Sequence, residues 1–281
     1  MSNTLADALH EAASSGLDRL DAQLLLLHVL GRPADERGWL IAHDTDALPA
    51  PQLASYRALC ARRAAGEPVA YLVGEKEFFG LALAVDARVL VPRPETETLV
   101  EWALEVLAGR ERPRVVDLGT GSGAIALAIA SRRPDAQVEG VDASREALAV
   151  AQENARRLAL KVAFRHGSWL AGTAQEEMLG SYDLVVSNPP YVAQADPHLA
   201  ALTHEPLQAL AAGPDGLDDL RTIVAQAPAC LAPGGWLLLE HGWDQAGAVR
   251  ALLRDAGFGE IASRADLAGI PRCTGGQRPA A

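Results

Sequence analysis

Residues 115–130, VVDLGTGSGAIALAIA, constrain the fold more than any other stretch of the chain. An apolar run leads into a glycine-rich turn and a second apolar run leads out of it, which is typical of a buried strand followed by a helix. Gly119, Gly121 and Gly123 let the backbone turn sharply and approach a ligand without a Cβ clash. A bare G-x-G-x-G pattern fits a dinucleotide site, a methyl-donor site or a tight turn. The pattern therefore predicts the fold but does not identify the ligand.

The strand–turn–helix pattern repeats from Arg114 onward. The predicted strands are Arg114–Leu118, Gln137–Val141, Lys161–Arg165, Tyr182–Ser187 and Gly235–Glu240. Helices are predicted between them, among others at Ser144–Leu158 and Gly216–Ala227. Such alternation predicts an α/β domain whose parallel sheet is covered on both faces. The tail near Gly275–Ala281 is predicted to be frayed.

Two segments precede this domain, which we place at residues 95–281. Residues 1–73 carry leucines at helical spacing until Gly31-Arg32-Pro33 interrupts them, and Pro51–Ala65 is predicted to form a further amphipathic helix. This segment is predicted to be a small helical bundle, with partner docking as its functional interpretation. Residues 74–94 alternate apolar and polar side chains around Asp86-Ala87, which predicts a β-hairpin linker.

Composition excludes several classes of protein. The formal net charge is −11 and the basic residues cluster only in pairs, which disfavours a nucleic-acid substrate. Cys60, Cys230 and Cys273 are odd in number and form no C-x-x-C pair, so neither a disulfide framework nor a metal site is predicted. The N-terminus lacks the pattern of a secretory signal, and no apolar run approaches bilayer length. We therefore expect a soluble, cytoplasmic protein.

Two carboxylates favour a methyl donor over a dinucleotide. Asp117 lies in the lead-in to the glycine turn, where a carboxylate suits a ligand with an ammonium group better than a diphosphate. Asp142 ends the next strand and could accept hydrogen bonds from ribose hydroxyls, or alternatively cap the helix near Ser144. Trp169 offers a flat face for an adenine ring, although core packing explains it equally well. Together these features indicate S-adenosylmethionine.

The segment VVSNPPYV ends a buried strand with a stiff polar turn. Asn188 and Pro189 each precede a proline and are driven into extended conformations, and the prolines have no N–H. The side-chain oxygen of Asn188 and a backbone carbonyl match the two hydrogens of an NH₂ group, and Tyr191 can stack on the planar group that bears it. Because a sulfonium methyl is already electrophilic, holding a weakly nucleophilic amide or amine nitrogen in line is the main catalytic task. The alternative is a simple strand-ending Pro-Pro turn.

Several motifs together resemble one family. DLGTGSGAIALAIA, SNPPYV, HEPLQAL, LLLEHGW and DLAGIPR occur in order, preceded by GEPVAYLVGEKEFFGLALAVDARVLVPRPETE. Over almost the whole chain they resemble the release-factor glutamine N5-methyltransferase family (PrmC/HemK). The NPPY motif is shared with DNA adenine-N6 and some RNA methyltransferases, whereas PRPETE with a helical N-terminal domain is typical of this family alone.

The resemblance implies a Rossmann-like class I methyltransferase domain with a seven-stranded, mostly parallel sheet. It implies methyl transfer from S-adenosylmethionine, leaving S-adenosylhomocysteine, to the glutamine amide of the GGQ motif in class I peptide chain release factors. A monomer without a membrane or nucleic-acid partner is expected. The donor-binding residues carried over with the motifs are Asp117, Gly119, Thr120, Gly121, Ser122, Gly123, Asp142, Trp169 and Asn188. The substrate glutamine would be held by Asn188, Pro189, Pro190 and Tyr191, of which Asn188, Pro189 and Tyr191 are assigned the catalytic role.

The chain departs from the family pattern at three places. Ser168 stands where relatives usually carry Asp before the aromatic residue, which affects a hydrogen bond to the adenine amino group. His204 stands where Phe is expected in the pocket wall. Gly275-Gly276-Gln277 copies the substrate motif, which we interpret as coincidence rather than as a self-methylation site.

Other interpretations predict other features. A nucleic-acid amine methyltransferase would share the NPPY turn but needs a basic groove and a target-recognition domain. A nicotinamide-dependent oxidoreductase conflicts with Asp117 and with the turn spacing, and a scaffold does not need an intact NPPY turn. Glu240 and His241 are expected to be structural. For Arg93, contact with the partner or the donor site and surface pairing with Glu95 or Glu97 are equally compatible with the sequence.

Overall fold

The structure, a computed structural model, describes residues 3–171 and 180–280. The chain forms two compact units, Met1–Glu75 and Lys76–Ala281. In the described part of the chain, every helix is too short or too polar to traverse a lipid bilayer.

The first unit is a bundle of short helices. Its helices are α1 (Leu5–Ser14), α2 (Arg19–Val29), α3 (Arg37–Ala42), α4 (Ala50–Ala64) and α5 (Val69–Val73). A reciprocal capping box starts α1, in which Thr4 Oγ1 accepts from the Asp7 amide at 3.1 Å and Asp7 Oδ2 accepts from the Thr4 amide at 2.9 Å. The predicted interruption is confirmed, because α2 ends before Gly31, whose φ of 67° no ordinary helix residue adopts.

A two-stranded hairpin, β1 (Glu75–Phe78) and β2 (Leu81–Ala84), follows the bundle. The predicted position of its turn is wrong. Phe79 and Gly80 form the turn, with φ of 52° and 81°. Asp86-Ala87 begins a separate turn, and the residues directly after it are not in a strand. The apolar alternation continues past β2 only because Val85, Val89 and Val91 are buried outside any strand. The role of residues 74–94 as a linker stays a prediction.

The second unit contains the predicted seven-stranded sheet. Its strands are β3 (Arg114–Leu118), β4 (Gln137–Asp142), β5 (Ala163–His166), β6 (Tyr182–Ser187), β7 (Leu231–Glu240), β8 (Gly259–Ala265) and β9 (Pro271–Gln277). Their order is β5-β4-β3-β6-β7-β9-β8; the pairs from β5 to β7 are parallel, and β9 runs antiparallel to both of its neighbours, β7 and β8. The bounds predicted for β3 and β6 are confirmed, and those of the other predicted strands shift by one to four residues.

Helices cover both faces of this sheet, as predicted. They are α6 (Glu97–Val106), α7 (Ala124–Arg132), α8 (Arg145–Arg157), α9 (Asp218–Cys230) and α10 (Ala246–Asp255), with 3₁₀ helices at Pro94–Thr96, Pro197–Ala201 and Leu207–Ala209. Val115 packs in the core with α6 and α7, whereas its neighbour Val116 packs in the core with α9 and α10. This alternation is the period of two that a strand imposes on its side chains.

The predicted frayed tail is wrong. Pro271–Gln277 is β9, inserted between β7 and β8. Gly275 and Gly276 are buried there, and a Cβ on Gly275 would lie 2.4 Å from Leu238 Cδ2 and 3.0 Å from Trp102 Cη2. Paired glycines suggest a flexible tail in sequence, but here they leave room for side chains of the core. Gln277 Nε2 donates to the carbonyl of Gly234 at 2.9 Å, so this copy of the substrate motif is engaged in the sheet.

We predict that Gly275→Ala lowers the free energy of unfolding by about 1–3 kcal/mol, because a new methyl group must displace Leu238 or strain β9. Gly247→Ala is the matched control. Gly247 lies in α10 with open space around its Cβ position, so alanine there should stabilise the protein by about 0.5–1 kcal/mol. Urea unfolding of both variants measures the difference, and equal midpoints for G275A and the unaltered protein would contradict this packing argument.

Candidate active site

The glycine turn after β3 is held against the neighbouring strand β4. The amides of Gly119 and Thr120 both donate to the carbonyl of Val141, at 2.8 and 3.0 Å. Gly119 has a φ of 69°, and a Cβ there would lie 3.2 Å from Cζ3 of Trp169. Glycine is therefore required at this position both by its backbone conformation and by the approach of the indole ring.

Asp117 is fully buried beneath this turn. Its Oδ2 accepts from Thr120 Oγ1 at 2.6 Å and from the Ala126 amide at 3.2 Å, which joins the strand end to the start of α7. Among the described residues, Oδ1 has no hydrogen-bond partner. Burial is the main reason that the pKa of Asp117 is raised to about 7.

Asp142 holds the same turn from the end of β4. Its Oδ2 accepts from the Gly121 amide at 2.8 Å and its Oδ1 accepts from the Ser144 amide at 2.8 Å. The alternative role of Asp142 as helix cap is taken by Ser144, whose hydroxyl accepts from the Ala147 amide at 3.1 Å. Each carboxylate oxygen has a further lone pair, so Asp142 can still accept from ligand hydroxyls.

Trp169 packs next to Gly119 and lines the same cavity as Asp142. Its φ is 52°, in the left-handed region that a bulky residue rarely adopts. Its Nε1 donates to Asp219 Oδ1 at 3.2 Å, which fixes the ring in a half-buried position. The indole is therefore part of a cavity wall rather than of the core alone.

A cavity of about 280 Å³ opens beside these groups, at the carboxyl ends of the parallel strands. Six of the predicted residues line it, namely Gly119, Gly121, Asp142, Trp169, Asn188 and Pro190. Asp117, Thr120, Ser122 and Gly123 are predicted donor contacts that do not line it, and their direct contact with a ligand stays a prediction. Ser168, the departure from the family pattern, lies in its wall. His204 is absent from the walls of this cavity and of its neighbour.

The segment Asn188–Tyr191 separates this cavity from a second one of about 110 Å³. Asn188 lines both, whereas Pro189 and Tyr191 line only the second. Gln245 Nε2 donates to the carbonyl of Tyr191 at 3.0 Å, and a Cβ on Gly216 would lie 2.2 Å from that carbonyl oxygen. The position of the turn is therefore fixed before any ligand binds.

The side chains of this turn have partners that sequence reasoning missed. Asn188 Nδ2 lies 3.2 Å from Thr96 Oγ1, and the Tyr191 hydroxyl donates to Glu240 Oε1 at 3.5 Å. Thr96 and Glu240 are 4% and 1% exposed, so both lie in the interior behind the turn. Their presence in the PRPETE and LLLEHGW motifs was the only signal in the sequence, and it did not indicate that these two motifs meet.

Of the two alternatives for Arg93, pairing with Glu95 or Glu97 is not what the structure shows, because Arg93 pairs with Glu205. Its guanidinium contacts Glu205 Oε1 at 2.5 Å, and Glu205 Oε2 accepts from the Val91 amide at 3.2 Å. Glu97 instead accepts from the amide of Phe79 at 2.9 Å. The buried Glu205 thus fixes Arg93 at the wall of the second cavity.

His241 is structural, as expected. It is fully buried, with Nδ1 at 2.8 Å from the carbonyl of Gly242 and Nε2 at 2.7 Å from Thr274 Oγ1. Burial lowers the pKa of this imidazole. Residues 3–171 and 180–280 contain no group of His, Cys, Asp and Glu side chains arranged to hold a metal ion.

Two family models match the chain. The "PrmC N-terminal domain" matches residues 3–74, and the "Methyltransferase small domain" matches residues 100–213. Among solved structures, a methyltransferase from Pyrococcus furiosus aligns with a TM-score of 0.55 and 17% identity. It covers 80% of this chain and 99% of its own, and at that identity it supports the fold alone.

Curated relatives match over nearly the full length. The release factor glutamine methyltransferase of Bordetella pertussis is 53% identical over 266 residues, which is 94% of this chain and 96% of the relative. That of Xylella fastidiosa strain Temecula1 is 50% identical over 276 residues, or 97% of this chain and 98% of the relative. With both cavities, the NPPY turn and the N-terminal bundle present, this chain belongs to the release factor glutamine methyltransferase family.

Proposed function

We propose that this chain transfers a methyl group from S-adenosylmethionine to the side-chain amide nitrogen (N5) of the glutamine in the GGQ motif of class I peptide chain release factors. One observation carries the proposal, namely that Asn188 lines both cavities and so stands between a donor site and a substrate site. Family membership supports both the donor and the substrate.

The residues of the larger cavity fit S-adenosylmethionine. Asp142 presents carboxylate lone pairs to ribose hydroxyls, Trp169 presents a ring face to adenine, and Gly119 leaves the space that a Cβ would fill. The unpaired Oδ1 of Asp117 lies in the interior beneath the turn and contributes negative potential toward an ammonium group. When bound, the donor supplies an electrophilic sulfonium methyl carbon and is left as S-adenosylhomocysteine.

The NPPY turn fits a carboxamide. Because Asn188 Nδ2 already faces Thr96, the side-chain Oδ1 is the end available to a ligand. No hydrogen bond within the described residues uses the carbonyl of Pro189, so it supplies a second acceptor. The two acceptors hold both N–H groups of the substrate amide and raise the electron density on its nitrogen, while Tyr191 packs against its plane. The nitrogen forms its bond to the methyl carbon as the bond from that carbon to sulfur breaks, and the methylated nitrogen then releases one of its two protons to water or a carbonyl oxygen, so the transfer itself requires no side chain as general acid or base.

The charges around the cavities give no support to a nucleic-acid substrate. Arg88 and Arg93 are the cations that line the two cavities, and they pair with Asp86 at 2.6 Å and Glu205 at 2.5 Å. A phosphate backbone would have to compete with those carboxylates. We further propose that the enzyme works as a cytoplasmic monomer and that residues 1–73 dock the release factor.

The substrate assignment predicts where label from S-[methyl-³H]adenosylmethionine appears. A purified class I release factor should become labelled, and the same factor with its GGQ glutamine replaced by alanine should not. DNA and RNA are incubated in parallel as the alternative substrates. Label found in nucleic acid alone would refute the proposed substrate class.

Replacing Asn188 with alanine is predicted to reduce kcat for release-factor methylation by about 100-fold or more, because the nitrogen loses one of its two fixed acceptors. Steady-state kinetics with the unaltered protein as reference measure the change. The control substitution Glu153→Gln, at an exposed residue that pairs with Arg156 and lines neither cavity, should leave kcat unchanged. Full turnover by N188A would eliminate the proposed role of the turn.

Replacing Asp142 with alanine is predicted to weaken S-adenosylmethionine binding by about tenfold or more. The ribose loses its acceptor, and the amides of Gly121 and Ser144 lose theirs. Isothermal titration calorimetry measures the dissociation constant, and thermal unfolding separates lost binding from lost folding. An unchanged dissociation constant in a folded D142A variant would show that Asp142 only supports the turn.

A further inference from the structure

The base of the proposed donor needs a hydrogen-bond acceptor that the residues assigned to it so far do not provide. Adenine carries an exocyclic amino group with two N–H donors, and a donor that is buried without an acceptor weakens binding. Asp142 is assigned to the ribose hydroxyls, and the indole of Trp169 can only donate. A further acceptor is therefore required beside the ring of Trp169.

The indole of Trp169 extends from the glycine turn to the start of α9. A Cβ on Gly119 would lie 3.2 Å from Cζ3 and 3.6 Å from Cη2, which both belong to the six-membered ring. At the opposite end of the indole, Nε1 of the five-membered ring donates to Asp219 Oδ1 at 3.2 Å. Asp219 therefore lies at the end of the ring that is remote from the glycine turn.

A second contact ties the same segment to α9. Asp219 lies in the first turn of this helix, and seven residues further along, Gln226 Oε1 accepts from the amide of Leu170 at 3.0 Å. Seven residues are two helical turns, so Asp219 and Gln226 lie on one face of α9. The backbone next to Trp169 is thus bound to the helix independently of Asp219.

Asp219 has an oxygen to offer to a ligand. Its side chain lines the larger cavity and is half-buried. The indole N–H occupies Oδ1, whereas Oδ2 makes no hydrogen bond within the part of the chain that the structure describes. The preceding residue differs, because Asp218 pairs with Arg221 at 3.0 Å and does not line the cavity.

The other polar groups of the cavity wall do not select for an amino group. Among the described residues that line the cavity, the carboxylates are Asp142 and Asp219. An ionised carboxylate only accepts, so it favours an amino group over a carbonyl oxygen at the same position. The remaining uncharged polar side chains can both donate and accept, and they are Ser144, Ser168, Asn188 and Gln208.

We propose that Asp219 is the donor-binding residue that recognises the base, with Oδ2 accepting from the exocyclic amino group of adenine while Oδ1 holds the Trp169 ring. The inference rests on the proposed function and adds a specificity to it. One carboxylate fixes the stacking surface and reads the edge of the base that stacks on it. The cavity thereby distinguishes adenine from purines that lack the amino group or carry an oxygen in its place.

A purely structural role for Asp219 makes a different prediction. A carboxylate in the first turn of a helix is favoured by the helix dipole, and holding Trp169 requires Oδ1 alone. In that case Asp219 would affect all purine ligands equally, because each of them stacks on the same ring. The ratio of affinities for two ligands that differ only at the amino group separates the two roles.

The test measures binding to the full-length protein by isothermal titration calorimetry. The ligands are S-adenosylhomocysteine and its 6-desamino analogue, in which purine replaces adenine. The unaltered protein should bind the analogue about tenfold or more weakly, because Asp219 then faces no donor. In Asp219→Asn and Asp219→Ala this ratio should fall to about one or below. The control Asp218→Asn, the same change one residue earlier, should keep the ratio of the unaltered protein.

A third ligand tests the polarity of the contact. S-inosylhomocysteine carries an oxygen where adenine carries the amino group. In Asp219→Asn the amide oxygen is retained by the indole N–H, so the NH₂ group faces the cavity and can donate to that oxygen. The affinity for S-inosylhomocysteine relative to S-adenosylhomocysteine should therefore rise about tenfold or more in D219N compared with the unaltered protein, and should rise less in D219A.

The outcomes separate the inference from the function on which it rests. If the unaltered protein binds no S-adenosylhomocysteine, the proposed donor fails and the proposed function fails with it. If it binds, but D219N weakens S-adenosylhomocysteine and the desamino analogue equally, the function stands and Asp219 acts only through Trp169. Loss of the preference in Ser168→Ala but not in D219N would also refute the inference, since the hydroxyl would then be the acceptor. Thermal unfolding checks each variant, and a general weakening of the cavity cancels from each ratio.

Discussion

A hydrogen bond from Ser187 Oγ to the carbonyl of Leu118, 2.7 Å long and fully buried, joins the ends of β6 and β3, and the active site depends on it. The two strands are parallel neighbours with Leu118 opposite Ser187. The chain proceeds from β3 toward β4 on one side and from β6 toward β7 on the other, so a crevice opens between the segments that follow. Those segments begin with Gly119 and Asn188, which both line the larger cavity.

The site is rigid because buried carboxylates hold its two turns from behind. Asp117 and Glu240 are 0% and 1% exposed, and each has one oxygen without a partner among the described residues. Such groups cost stability, since burial raises the pKa of each to about 7. Their placement behind the glycine turn and the NPPY turn indicates that the fold tolerates this cost where preorganisation benefits binding and catalysis.

Local patterns were sufficient to predict the strand–turn–helix units, the bounds of β3 and β6, and the two turns, because each is encoded in consecutive residues. The partners of those turns were not predictable in this way. Thr96 lies 92 residues from Asn188 in sequence, and Glu205 lies 112 residues from Arg93. Only the folded sheet brings them together. The strand β9 was missed for a different reason, since paired glycines have the same local signature in a frayed tail and in a strand packed too tightly for a Cβ.

The distribution of charge around the larger cavity argues for a cationic ligand independently of any motif. Asp142 and Asp219 present carboxylates at its wall, and burial raises the pKa of Asp219 while its hydrogen bond from Trp169 acts in the opposite direction. The cation at the same wall, Arg88, is bound to Asp86. A diphosphate placed there would meet uncompensated negative charge beside the glycine turn, whereas a sulfonium and an ammonium group would reduce it. The sheet topology alone is shared with dinucleotide-binding domains, so these carboxylates are what make the crevice suited to a methyl donor.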